Sequence, residues 1–166
     1  MPNSGMLQAV DNLKFVMGCA PAALATTAGD GDYVSLKNFA RLTIVISVLN
    51  ATTVTGGAVT LIQATEVAGS TTKALGFTKA YRNIDCAAGD TLTEFAVSGD
   101  TFTTDTTNSK QLLYVIEINA EDLDINNNYD CVRVDVASMA SAVGSVLYIL
   151  SGARENPPLA LAAITN

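Results

Sequence analysis

From 39 to 50 the chain runs FARLTIVISVLN, which places Leu42, Ile44, Ile46 and Val48 on one side of an extended backbone. Arg41, Thr43, Val45 and Ser47 fall on the other side, and this period of two predicts a half-buried strand. AVTLIQATEV follows TGG, a turn built from residues that accept positive φ. KALGFTKAYRN, TLTEFAV and TFTT are weaker strand candidates, separated by the turn sequences CAAGD and SGD. KQLLYVIEIN is almost continuously apolar, as expected of a central strand, with Glu117 its one charged residue. YDCVRVDVA predicts Val132, Val134 and Val136 facing inward and Cys131, Arg133 and Asp135 facing outward, and SVLYILSGA closes the set.

Between the last of these strands lies NAEDLD, where Asn119 is placed to cap a single helical turn and Glu121 and Asp122 sit at its positive end. Strands at this spacing, with no amphipathic helix between them, predict an all-β protein: an antiparallel, jelly-roll-like sandwich of about eight strands. A parallel α/β fold is excluded because it needs crossover helices. No internal repeat or charge run divides the chain.

The ends follow a different pattern. Residues 1–31 carry only Asp11, Lys14 and Asp30 as charges, contain Pro2 and Pro21, and sustain neither period. They are expected to form an extended N-terminal arm, with a helical turn near Gln8 to Leu13, packed on the body or on a neighbour. The sandwich is assigned to 32–154. Residues 155–166 are expected as a C-terminal tail, in which Pro157 and Pro158 stop any helix.

Composition sharpens this picture. A chain of 166 residues is expected to form one domain and to bury roughly 70% of its unfolded surface. Charged residues are 15% of the chain, so the surface relies on uncharged polar groups, among them 19 threonines that also favour strands. The net charge of −7 makes nucleic acid and anionic membranes unfavourable partners, and no stretch is long and apolar enough to predict a membrane helix. Cys19, Cys86 and Cys131 lie far apart without a C-x-x-C spacing, which predicts free thiols rather than a zinc or redox site. FVMGCAPAALA imitates the end of a lipoprotein signal at Cys19, but Asp11 cancels Lys14 and the apolar run before the cysteine is too short.

Candidate chemistry is sparse. The chain has no histidine, which removes imidazole-activated nucleophiles, imidazole metal ligands and the usual acid/base group near neutral pH. GSTTKALG has the residue types of a phosphate loop in the wrong order. Glu94, Glu117, Glu121 and Asp135 are the candidates for a glycosidase carboxylate pair, a chemistry disfavoured by the absence of Trp. Asp124, Asn126 and Asn128 occupy the first three ligand positions of an EF-hand loop. Tyr129 stands where glycine is needed, and Asp135 is carried off on a strand, so the segment is expected to be a turn. The row Cys131, Arg133 and Asp135 is expected as a solvated or interfacial rung. No catalytic, cofactor or metal site is assigned.

The strand text carries a further signal. DYVSLKNFARLTIVISV, AVTLIQATEVAG with KALGFTKAYRN, and NSKQLLYVIEINAEDLDINNNYDCVRVDVAS with SVLYILSGAR resemble, over about residues 32–154, a family of small tailed-bacteriophage proteins often encoded near the major capsid protein. The resemblance implies a head decoration, or cement, protein: a jelly-roll structural protein that assembles, commonly as a trimer, on the outer capsid surface of the virion. Its implied partners are the major capsid protein and further copies of itself, with no enzymatic activity and no cofactor. A carbohydrate-binding or host-adhesion sandwich is the alternative of a different class.

Overall fold

The computed structural model describes residues 9–25, 30–154 and 163. The expected beginning of the arm (1–8) and most of the expected tail (155–162 and 164–166) lie outside them. The described chain begins with one helical turn, α1 (Ala9–Asn12), closed by the Leu13 N–H donating to the Ala9 carbonyl at 2.9 Å. Eleven strands follow among the described residues: β1 (Lys14–Ala23), β2 (Val34–Ser35), β3 (Phe39–Asn50), β4 (Ala58–Ala64), β5 (Thr72–Ala74), β6 (Lys79–Asn83), β7 (Thr93–Ala96), β8 (Thr101–Thr103), β9 (Gln111–Asn119), β10 (Cys131–Val136) and β11 (Ala142–Ala153).

They form two antiparallel sheets packed as a sandwich. One has six strands in the order β1-β11-β3-β9-β6-β7; the other has the order β2-β10-β4-β5, with β8 also pairing β4. The pairing is nested along the chain, β1 with β11, β2 with β10, β3 with β9, and β4 with β5 and β8. About eight strands were expected. The larger number arises because KALGFTKAYRN divides into β5 and β6 around Gly76, and because β1 and β2 come from sequence with no visible alternation.

β1 lies within the stretch expected as an arm, and it is an edge strand of the larger sheet, paired with β11 from Lys14 to Ala23. Its alternation is hidden by two register shifts, between Met17 and Cys19 and between Cys19 and Ala22. A bulge inserts a residue and so breaks the period of two that a sequence reading depends on.

The core is the set of inward positions that the clear strands announced. Leu42, Ile44, Ile46 and Val48 of β3 meet Val132, Val134 and Val136 of β10, each at 2% exposure or less. Fully burying each such side chain contributes about 1.5–3 kcal/mol. Tyr148 on β11 spans the gap between the sheets, and its hydroxyl oxygen accepts the Val134 N–H at 3.0 Å. Residues 30–33 close that side: the Gly31 N–H donates to the Val134 carbonyl at 2.8 Å and the Asp32 N–H to the Gly18 carbonyl at 2.9 Å. Only glycine fits at 31, since an added methyl would stand 2.2 Å from the Tyr148 hydroxyl and 2.8 Å from the Val134 carbonyl oxygen.

Candidate functional site

The Asp124–Asn128 segment is a turn whose one carboxylate is committed to the protein. Gln63 at the end of β4 pins its start, accepting the Asp124 N–H at 2.9 Å on its side-chain oxygen. Lys73 of β5 forms an ion pair with the Asp124 carboxylate, which also accepts the Asn127 amide at 2.8 Å. The Lys73 ammonium, with Asn127, holds that carboxyl below its ordinary range. Lys73 also lies 4.5 Å from the centre of the Tyr129 ring, so the tyrosine in place of glycine packs on a cation. Asn128 adopts the left-handed conformation at φ 63°, as asparagine tolerates. Asp135 is on β10 and turns to Arg133 instead. This segment therefore serves as a turn, with the carboxylate expected first in a calcium loop already neutralised by lysine.

The rung beside it differs from expectation at one end. Cys131, Arg133 and Asp135 do share the outer face of the smaller sheet, but Cys131 is 2% exposed rather than outward and wet. Tyr33 and Ala64 bury it, with Ile62 and Val67 packed around them. Burial, with the neighbouring Asp130 carboxylate, pushes the Cys131 thiol up to about 12. Arg133 bonds Asp135 at 2.7 Å and lies 5.0 Å from the centre of the Tyr33 ring. Burial raises the Asp135 carboxyl, against the lowering pull of Arg133. Arg133 Nε and Asp135 Oδ1 are buried with no hydrogen-bond partner, so the pair is incompletely satisfied.

The other singled-out acids do not converge on Asp135. Glu94 and Glu117 lie on β7 and β9 of the larger sheet, and Glu121 lies in the one-turn helix Ala120–Asp122 that follows β9. Glu94 faces Lys79 at 3.6 Å, and both side chains are more than half exposed. Asn119 precedes this turn as the sequence predicts, and its backbone N–H and side-chain amide both donate to the Asp122 carboxylate, at 2.8 and 3.2 Å. Cys19 is in β1 opposite Val146, and Cys86 is a free, half-buried thiol. Among the described residues no group of His, Cys, Asp or Glu could hold a metal ion, and no helix is long and apolar enough to cross a membrane.

The feature that sequence reasoning missed is the outer face of the six-stranded sheet. Strand registers align Met17, Leu147, Val45, Val115 and Tyr81 in one row across five strands, and none of the five is charged. Phe15 and Ile149 extend the row on one side, and the Val143–Leu49 pair lies further along the strands. Met17 is 53% exposed, Leu49 49%, Val143 45% and Phe15 42%. A pleated sheet turns alternate side chains to opposite faces, so this face should be polar if water were its only neighbour. The signal was in the sequence: β9 and β11 carry apolar residues at both parities, Leu113 and Val115 as well as Leu112 and Tyr114, and Leu147 and Ile149 as well as Val146 and Leu150. The run over β9 predicts a central strand, which it is, and a strand apolar on both faces also needs two covers.

No protein-family model and no curated protein matches the chain. Among solved structures the chain is similar to the SPBc2 prophage-derived protein YomS. The TM-score is 0.46 and the identity 15%, covering 84% of this chain and 92% of that one.

Proposed function

We propose that this chain is a structural virion protein, a jelly-roll body that binds the outer surface of a bacteriophage capsid and stabilises it as a decoration or cement protein. It works through its exterior and catalyses no reaction. The observation that carries the reading is the exposed apolar row on the larger sheet, because exposed apolar surface marks a site of protein association and a protein that works by assembly needs one. Two further features support it. The nested antiparallel pairing of β1 with β11 through β4 with β5 supports the jelly-roll reading of the sandwich. The strand text of residues 32–154 resembles that of phage head proteins. In this reading the partners are the major capsid protein and other copies of the chain, and the place of work is the capsid surface.

The test uses purified shells from a phage lacking this protein. Added protein is expected to bind them saturably and to make them harder to disrupt by heat. Shells that neither bind it nor gain resistance would overturn the proposal.

A further inference from the structure

We infer that the outer face of the six-stranded sheet is the surface through which copies of this chain pack on one another. The inference rests on the assembly reading above and names the occupant of that face as a second copy rather than the shell. Its first support is charge. The chain carries −7 overall, so two copies repel unless they meet through a region poor in charge. The central row from Met17 to Tyr81 supplies such a region. The charges around it are of both signs, with Arg41 and Glu117 near one end of β3 and β9, and neither has an ion-pair partner among the described residues. A second copy offers the same apolar row and the same two opposite charges, so the face is complementary to itself.

The second support is area. At about 4.8 Å between strands and about 3.3 Å per residue, the face of β1, β11, β3 and β9 over some nine residues measures about 600 Å². Stacking two copies then buries about 1,200 Å² in all, which reaches the lower end of specific protein interfaces and exceeds most incidental contacts. The third is form. The sandwich already packs one pleated face on another about 10 Å away, and a second copy would meet the Met17–Tyr81 row in the same geometry, with Ser47, Ser145 and Thr43 beside the apolar contact.

The experiment measures the mass of the full chain in solution by light scattering after size exclusion, with circular dichroism to follow the fold. The wild-type chain is expected at a multiple of 17.2 kDa. Met17→Glu combined with Leu49→Glu is expected to weaken association at least tenfold and to run at the one-chain mass with unchanged strand content. If that pair disturbs folding, Met17→Glu alone, at an exposed side chain of an edge strand, takes its place. Ile125→Glu, at an apolar side chain 60% exposed but outside the sheet, is the control and is expected to leave the mass unchanged.

A wild-type chain of one-copy mass overturns the inference, as does a folded face variant that keeps the wild-type mass or a control that dissociates equally. A single-copy chain that binds shells, and loses that binding in the face variant, would give the face to the shell and also overturn the inference. Shells that ignore a properly associated wild-type chain would refute the capsid reading and leave this one standing.

Discussion

The two outer faces of the sandwich are built on opposite plans. On the smaller sheet the outward row is polar: Arg133 lies at the Tyr33 ring and pairs with Asp135, both half-buried, and Cys131 is sealed at 2% exposure. On the larger sheet the outward row is apolar, half-buried at Val45, Leu147, Val115 and Tyr81, with Met17 and Leu49 each about half exposed. Among the described residues, Tyr33 and Val67 pack on the face that carries the polar groups, while Met17, Leu49, Val143 and Phe15 of the other face stay 53%, 49%, 45% and 42% exposed. The difference teaches where to look for partners: polar side chains on one face are satisfied within the chain, whereas exposed apolar side chains on the other are the kind of surface that association covers, as the inference above requires.

Breaking the ion pair on the covered face should have the largest effect. Arg133→Met leaves the Asp135 carboxylate half-buried without its cation, and solvent screening of this partly exposed pair brings the cost below the about 3–5 kcal/mol of a fully buried one. The urea midpoint is expected to fall steeply. The double substitution Arg133→Met with Asp135→Leu removes both charges and both unsatisfied atoms, and should recover most of the loss. A double variant as unstable as the single would mean that the pair holds the face together by something other than charge compensation.

A smaller effect tests the cover itself. Gly69 has φ +71°, and a methyl there would stand 2.5 Å from the Tyr33 ring. Gly69→Ala is therefore expected to displace the tyrosine and to cost about 1–3 kcal/mol through crowding and backbone strain. The informative readout is Cys131. With its thiol pushed up to about 12 and buried, it should resist alkylation in the native wild-type chain at mildly alkaline pH and become reactive in the variant. Equal protection in both would show that Tyr33 is not the lid.

How much of this was legible follows from the two plans. The inner faces of β3 and β10 were fully legible, because strict alternation leaves one assignment of sides and Leu42, Ile44, Val132 and Val134 fall where it puts them. The turn at Asp124–Asn128 was legible from Tyr129 and from the strand that carries Asp135 away. The burial of Cys131 was not: its cover comes from Tyr33, almost a hundred residues earlier, and no local pattern encodes a contact at that distance. β1 was hidden by its bulges, and with β1 unseen the apolar row lost the strand that carries Phe15 and Met17.

The pH dependence of stability offers a finer probe of the covered face. Asp135 has a folded pKa above its ordinary value, so the native state holds its proton more tightly than the unfolded chain does. Stability therefore falls as pH rises from the ordinary carboxylate range through the raised pKa, a contribution opposite in sign to that of a carboxylate stabilised by its partner. Asp135→Asn should remove this one downward step from the urea midpoint just above the ordinary carboxylate range. An unchanged profile would mean that Arg133 compensates the burial fully.

The smallest expected effect is the one that separates the faces most cleanly. Val134 points into the core at 0% exposure and Val45 points outward in the apolar row. Replacing either by threonine keeps the shape and exchanges a methyl for a hydroxyl. At position 134 the hydroxyl is buried among apolar side chains, at a cost of about 1–3 kcal/mol. At position 45 the hydroxyl can reach water while the chain is a single copy, so the urea midpoint in dilute solution should move by no more than about 0.5 kcal/mol. At high protein concentration, where copies pack face to face, the same substitution buries its hydroxyl and should become destabilising, because association adds to apparent stability by mass action. A Val45→Thr penalty independent of protein concentration would mean that the outer row is covered within one chain, and the contrast between the two faces would be lost.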